Sequence, residues 1–569
     1  KYYRATPNVY LEVEPVKDLV FKANGSVYVQ DRKQSQFRSK MTVSDGLNVF
    51  SSNGLGSYLE SDLLSTTSTF EMTGRYQKSI GKSHLSGLIG YTSQNSNLLT
   101  ELDAATLNPS VSGSASEWAL ESFFGRVNYD FEGKYLAEMN VRYDGSSRFG
   151  ANNRYGVFPS FSLGWNMAKE EFMKDLSDIN EFKFRGSWGQ LGNQNIGNYS
   201  SVSTINLDQP YVFGNSLVSG GAAIAMANPN VRWETTETTD IGLDAVLFDY
   251  KLSLTADYYV RKSKNVLLSP PISATLGNLS PPVQNQGEVE NRGYELSLNY
   301  YGMAGDDFEY SISANWSHND NKVLKLDSEF LSANKVLTKE GYPINSFYGH
   351  RIIGIFQSDA EAQNSEKYGV QPAGSAASAG DYIYEDTDGN GVVDAADRVI
   401  IGNPNIRNTY GMTWTANYKG FNFRVLFQGV LGRDVENGVY GTDGLRGYEN
   451  LTERFLDRWT PENPNTDVSR VATNYKYNTS LFVGPALSNA ILDASYLRMK
   501  HIELGYAFPN ELTQNIGLSN LRVYVSGQNL LTFTKFVDGF DPEDAQTFNN
   551  VNDSYPQAKS FTMGLNVSF

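Results

Sequence analysis

Residues 308–317 read FEYSISANWS. Phe308, Tyr310, Ile312, Ala314 and Trp316 occupy every second place, and Glu309, Ser311, Ser313, Asn315 and Ser317 fill the gaps. Side chains of an extended chain point alternately to its two faces. One face of this stretch is therefore apolar with aromatic ends, and the other is polar. KLSLTADYYV (251–260) repeats the pattern, with Leu252, Leu254, Ala256, Tyr258 and Val260 on one face. So does YLAEMNVRYD (135–144), with Tyr135, Ala137, Met139, Val141 and Tyr143. The final residues place Phe561, Met563, Leu565, Val567 and Phe569 together. Such alternation marks a β-strand with one buried face.

About seventeen such strands follow one another, near 7–15, 18–39, 57–77, 83–97, 117–130, 134–146, 156–168, 180–192, 235–248, 250–267, 287–303, 307–321, 408–418, 421–430, 494–507, 520–532 and 558–569. Their connections fall into two sets. PVKD (15–18), SIGK (79–82), FEGK (131–134), FDY (248–250), AGDD (304–307) and YKGF (418–421) are tight. Two members of this set, near 169–179 and 508–519, hold a short helical piece. The alternate connections are long, notably 193–234, 322–407 and 431–493. A soluble sandwich also alternates polar and apolar residues, but it does not sort its loops by length onto two sides. Outer-membrane barrels do, with short periplasmic turns and long extracellular loops. The expected fold is all-β, a transmembrane antiparallel β-barrel in the outer membrane, and the rival is a secreted multidomain β-protein or adhesin.

Strand parity sharpens this expectation. The C-terminus lies on the short-turn side, so counting back makes the first strand run inward from outside. Single-chain bacterial barrels have an even strand number, so an odd number is expected upstream, five if the full barrel has 22. The opening KYYRATPNVYLEVEP has no initiator Met, basic n-region or apolar h-region, and is read as beginning within a longer protein.

No apolar run reaches the eighteen residues of a membrane helix. There are no cysteines, so disulfides, thiolate metal sites and cysteine nucleophiles are excluded. His84, His318, His350 and His501 show no ligand spacing. A net charge of −16 argues against a nucleic-acid partner. The chain holds no nucleophile elbow, phosphate loop or zinc spacing, and is read as a non-enzyme. DPED (541–544) and EDTD (385–388) are read as loop charge.

One stretch carries metal chemistry. DTDGNGVVDAAD (386–397) fits the twelve-residue calcium loop of an EF-hand. Asp386, Asp388, Asn390, Asp394 and Asp397 stand at positions 1, 3, 5, 9 and 12, and Val392 offers its carbonyl at position 7. Gly391 supplies the sharp turn at position 6. Position 12 is Asp rather than Glu, and the preceding DYIYE is strand-like rather than helical. The expectation is a rigid Ca²⁺ clip resembling that of a dockerin, not a sensor. A metal-free Asp/Asn/Gly turn is the alternative.

In the loop 431–493, NLTERFLDRW (450–459) reads as a short helix capped by Asn450, with Glu453 three residues on. Leu451, Phe455 and Trp459 would form one stripe, packing the loop on itself or meeting a partner. Tyr211, Phe213, Tyr440, Tyr448 and Tyr475 stand on long loops, but nothing in the sequence marks them as binding a substrate.

Several segments together resemble the SusC/RagA group of TonB-dependent transporters. They are YDGSSRFGANNRYGVFPSFSLGWNMAKEEFM (143–173), FRGSWGQLGNQNIGNY (184–199), NPNVRWETTETTDIGLDAVLF (228–248), NQGEVENRGYELSL (285–298), GHRIIGIFQS (349–358), GDYIYEDTDGNGVVDAADRVIIGNPN (380–405), ASYLRMKHIELGYAFP (494–509) and LRVYVSGQNLLTFTKFVDGFDPE (521–543). The resemblance rests on the ordered set and spans nearly the whole chain. It implies an outer-membrane importer of oligosaccharides or peptides, a SusD-like surface lipoprotein as lid, and a plug displaced by TonB. A siderophore or vitamin receptor is the second reading within transport. No plug-like segment is recognised in these residues, and the substrate is not readable.

Overall fold

The computed structural model describes the chain apart from residues 40, 45–48, 53–56, 106–109, 278, 333–334, 373–376, 438–452, 472–485, 537–540 and 544–556. Among the described residues, eighteen strands share one sheet. They are Tyr2–Ala5, Asn8–Val16, Leu19–Arg38, Ser57–Ile80, Ser83–Ala105, Ser110–Phe131, Tyr135–Ser146, Tyr155–Asn166, Ile179–Asn193, Glu234–Leu247, Leu252–Lys264, Glu288–Ala304, Phe308–Lys325, Asn408–Tyr418, Phe421–Leu431, Tyr496–Ala507, Asn520–Thr534 and Ser560–Ser568. All seventeen expected strands are present, the first as Asn8–Val16. The eighteenth, Tyr2–Ala5, is not among those expected; it is set off from Asn8–Val16 at Thr6–Pro7, where proline has no N–H to give the ladder, and both pair with Leu19–Arg38.

The chain folds as two units, one of residues 1–170, 184–240 and 262–286 and a second of 171–183, 241–261 and 287–569. In the first unit the register runs Val13–Phe21–Gly74–Ile89–Gly125–Val141–Pro159 across seven strands. The row beside it with opposite side-chain direction runs Tyr10–Asn24–Glu71–Thr92–Ser122–Asp144. In the second unit the rows are Leu298–Ala314–Met412–Phe427–Met499 and Ser297–Asn315–Gly411–Gln428–Arg498. Apolar and polar faces thus persist from strand to strand, which a one-residue slip anywhere would invert. The apolar face is not packed against protein. Ile89, Met139, Phe161 and Leu163 are all exposed, forming an apolar surface far larger than a soluble monomer presents to water.

Aromatic side chains bound that surface in the second unit. Tyr300 meets Tyr310 (5.8 Å between ring centres), and Phe421 meets Tyr506 (4.7 Å), near the tight turns. Tyr294 meets Trp316 (4.9 Å) and stacks on His318 (4.8 Å) toward the long loops. From Tyr310 to Trp316 the strand rises roughly 20 Å at about 3.4 Å per residue. That is close to the roughly 25 Å apolar band between aromatic girdles of outer-membrane barrels.

The tight turns need left-handed backbone. Lys419 and Gly420, between the paired Tyr418 and Phe421, both have positive φ (46° and 88°), the requirement of a two-residue hairpin that follows the strand twist. Glu132 and Gly133 (56° and 62°) are left-handed in the three-residue turn between the paired Phe131 and Tyr135. Away from these turns, two strands, Ser83–Ala105 and Ser110–Phe131, are longer than their alternation predicts, while Ser57–Ile80 gains residues only at its tight-turn end. Ser57–Ile80, Ser83–Ala105 and Ser110–Phe131 hold 24, 23 and 22 residues, against about ten for a crossing. In the loop-side parts of Ser83–Ala105 and Ser110–Phe131, residues 97–102 and 111–115 are mostly exposed on both faces, so the apolar alternation fades and the period-two pattern reads short there. A hairpin, Ile205–Phe213 with Ser216–Ala223, also lies within the loop 193–234.

This arrangement predicts a position-specific cost of charge. Ile89→Lys places an ammonium on the apolar face and should destabilise the protein by about 2–4 kcal/mol in denaturant titrations in lipid. Ser86→Lys, on the opposite face, should cost far less.

Candidate functional site: the long-loop layer and its acidic loop

The loops 326–407 and 432–495 fold on each other within the second unit. Strands Ile352–Ile355 and Tyr382–Tyr384 pair and place Ile355, Tyr382 and Tyr384 in a small core with Val393 and Trp459. A second core joins Phe356, Ala362, Ala377 and Ile383. Trp459 comes from the other loop, and its indole Nε1 donates to Gln357 Oε1 at 3.1 Å. An ion pair beside it locks the two loops together. Arg470 donates to both oxygens of the buried Asp381, Nε to Oδ1 at 2.7 Å and Nη2 to Oδ2 at 3.1 Å. Gly380 has φ 89°, and a Cβ there would stand 2.5 Å from the Trp459 ring, so only glycine fits.

The expected helix is shorter than its pattern. Residues Glu453–Asp457 form a 3-10 helix, with Phe455 buried. Trp459 lies past its end, so the i, i+4, i+8 stripe is not one helical face. Both aromatics are spent on packing. Leu451 and Asn450, with Tyr440, Tyr448 and Tyr475, lie outside the described residues. Tyr211 and Phe213 are exposed on the hairpin of the first unit.

The acidic loop is organised by its own carboxylates. Asp386 accepts from the backbone N–H of Gly389 and Gly391, both at 2.8 Å. Asp388 accepts from the backbone and side-chain amides of Asn390, both at 3.0 Å. Asn390 Oδ1 accepts from the Val392 N–H at 2.8 Å. Gly389 and Gly391 have φ 72° and 85°, which side chains resist. Asp397 is fully buried and accepts from the N–H of Thr387 (2.7 Å), Asp388 (3.3 Å) and Asp394 (2.7 Å). Burial opposes its ionisation, but these amides and the Thr387 hydroxyl prevail and hold the carboxyl below its usual range.

Asp386, Asp388 and Asp397 each present a carboxylate oxygen, all within 4.8 Å of one another. Asp394 instead directs an oxygen to the Ala396 N–H at 2.7 Å and caps the 3-10 turn Ala395–Asp397. Val370 N–H donates to the Gly391 carbonyl at 2.8 Å, and Val393 N–H to the Val370 carbonyl at 3.0 Å. The loop is thereby tied to the chain before it, and Val393 anchors it in the core. Behind it His350 is buried. Its burial and Arg398 lower its pKa to about 4, against Asp397 and Asp394, so the imidazole is neutral at physiological pH.

Two other charges read as plain loop charge are not. Arg498, buried on the polar face of Tyr496–Ala507, donates to Asp541 and Glu543 at 2.6 Å each. Lys500 joins Glu543 at 2.9 Å. These bonds hold Asp541 and Glu543 against the sheet. Glu385 likewise pairs with Arg351 at 2.8 Å. The sequence held a usable signal for the first of these, a basic pair, Arg498 and Lys500, near the loop end of an alternating strand.

Comparison with known proteins places this architecture. Residues 8–530 match the family model described as TonB dependent receptor-like, beta-barrel. The chain belongs to this family of outer-membrane β-barrels. It is 35% identical to TonB-dependent receptor P3 of Formosa agariphila, over all of this chain and 58% of that relative. It is 30% identical to TonB-dependent receptor SusC of Bacteroides thetaiotaomicron, over 80% of this chain and 44% of SusC. The solved structure of the RagAB peptide transporter superposes with a TM-score of 0.80 at 26% identity, covering all of this chain and 62% of that one. The Escherichia coli transporter YddB shares the fold alone, at TM-score 0.52 and 12% identity. The chain thus spans about half the length of such relatives.

The loop lock is open to test. Arg470→Ala leaves the Asp381 carboxylate buried without its main counter-charge, a change that costs about 3–5 kcal/mol. Hydrogen exchange should accelerate at 352–384 and leave the strands Phe308–Lys325 and Asn408–Tyr418 protected.

Proposed function

We propose that this chain supplies much of the barrel wall of a SusC-like importer in the bacterial outer membrane. In this reading oligosaccharides or peptides enter from the long-loop side under a SusD-like surface lipoprotein. They pass inward when TonB displaces a plug carried outside these residues. One observation carries the reading: the match to the RagAB transporter covers the whole of this chain at a TM-score of 0.80. The relative named SusC supports the same class. The likeness to YddB reaches only the fold and speaks for no substrate class.

The structure suggests how the parts divide the work. The polar face lines the route with Asn, Ser, Thr and paired charges. The cross-packed loops give a lid a firm seat, where Leu456 is 81% exposed beside the buried Phe455. No catalytic step is assigned. Deleting the full-length gene, or that of its partner lipoprotein, should abolish uptake of the cognate oligosaccharide or peptide. Uptake that continues without the lipoprotein would rule out the lid.

We further propose that the acidic loop binds Ca²⁺ as a structural clip. Asp386, Asp388 and Asp397 would supply carboxylates, with the Val392 carbonyl, Asn390 and Asp394 completing the shell, Asp394 directly or through water. The gathered carboxylates support this. A site of roughly 10⁻⁴–10⁻³ M, usual for extracellular modules, suffices on that face. Asp386→Ala with Asp388→Ala should abolish calcium protection of residues 380–400 against protease, with the barrel still assembled. Cleavage that ignores chelator in the unaltered protein would remove calcium from the account.

A further inference from the structure

On the apolar, outward face of the second unit, the strands Glu288–Ala304 and Phe308–Lys325 change chemistry at one level. Leu298 opposite Ala314 and Leu296 opposite Trp316 continue the apolar band. Tyr294 opposite His318 forms its aromatic edge toward the long loops. The next rows are Arg292 opposite Asp320 and Glu290 opposite Lys322. Arg407, just before the strand Asn408–Tyr418, reaches the same Asp320.

The anchoring of these cations is asymmetric. Glu290 is buried, and one of its oxygens receives both Nε (2.9 Å) and Nη2 of Arg292. Asp320 Oδ1 receives Nε (3.1 Å) and Nη2 (2.9 Å) of Arg407. Asp320 is itself steadied by His318 Nε2 at 3.1 Å, and His318 Nδ1 lies 2.9 Å from Asn408. Each guanidinium thus commits two N–H groups to a fixed carboxylate and keeps three for another acceptor. The Arg292 and Arg407 side chains remain 55% and 50% exposed. Lys322 is exposed. In a chain of net charge −16, three cations against two anchoring carboxylates form a local positive excess at headgroup depth.

We propose that Arg292, Arg407 and Lys322 bind the phosphate of an outer-leaflet glycolipid, whose acyl chains lie along Leu296, Leu298 and Met412. Planar guanidinium forks suit a phosphate's several oxygens, and the aromatic edge directly below sets the depth at which the headgroup sits. The inference rests on the chain being an outer-membrane barrel and not on what the importer carries.

The test uses the full-length transporter in mild detergent, with bound lipid counted by native mass spectrometry. The probes are diphosphoryl lipid A, the same lipid without its phosphates, and a glycerophospholipid. The unaltered protein should retain the diphosphorylated lipid in preference to the other two. Arg292→Gln, Arg407→Gln and Lys322→Gln should each weaken retention about fivefold, the usual effect of one basic residue at an anionic lipid surface. Lys419→Gln, at a tight turn, should leave it unchanged. Should a glutamine variant lose heat-modifiable migration, Arg292→Lys with Arg407→Lys keeps the charge and must retain most of the lipid. Equal retention by the triple glutamine variant, or equal binding of the dephosphorylated lipid or the glycerophospholipid, overturns the proposal. Uptake measured in parallel separates this outcome from failure of the importer reading.

Discussion

In a bilayer no water reaches the backbone, so every N–H and C=O of a crossing strand must find its partner in a neighbouring strand. The antiparallel register of the sheet meets that demand, and all else in this protein follows from it. Because side chains alternate, the register also fixes which residues meet lipid. Val13, Phe21, Ile89 and Val141 share one row and face, and Asn24, Glu71, Ser122 and Asp144 share a row on the other. The free energy of burial here comes largely from lipid, not from a protein core. The compact cores of the second unit's loops, around Ile355, Tyr384 and Trp459 and around Phe356 and Ile383, stand outside the crossing.

That division explains the loop layer. Beyond the bilayer, segments of some sixty to eighty residues must pack by ordinary means, burying aromatics and pairing charges. The lock between Arg470 and Asp381 and the seating of Trp459 join two loops that the chain separates by a full hairpin. The acidic loop belongs to the same layer. Its carboxylates are drawn together by backbone amides, and Val393 roots it in the core, which gives a clip something to hold.

The strands were legible because lipid on one side and polar groups on the other impose a strict period of two. FEYSISANWS shows this in ten residues. Legibility ended where that asymmetry ended. The upper parts of Ser83–Ala105 and Ser110–Phe131 face water on both sides, so their pairing is set by the neighbouring strand rather than by local pattern. Of the site, the acidic loop could be read because Asp386, Asp388 and Gly391 are adjacent in sequence. The Arg470–Asp381 pair could not, since its partners are brought together only by the fold, and of the Arg498–Asp541 pair the sequence marked only the basic side. The short helix at Glu453–Asp457 was overextended because Trp459 answers to the neighbouring loop's core and not to helical spacing.

The central claim is the alternating exposure of the strands to lipid, and the absence of cysteine from these residues makes it directly measurable. Single cysteines at 137 through 143 of the full-length transporter in liposomes would carry spin labels, with collision rates read for oxygen and for a water-soluble nickel complex. Oxygen accessibility should be high at 137, 139, 141 and 143 and low at 138, 140 and 142. A profile without that period of two, or nickel accessibility equal at both sets, would contradict it.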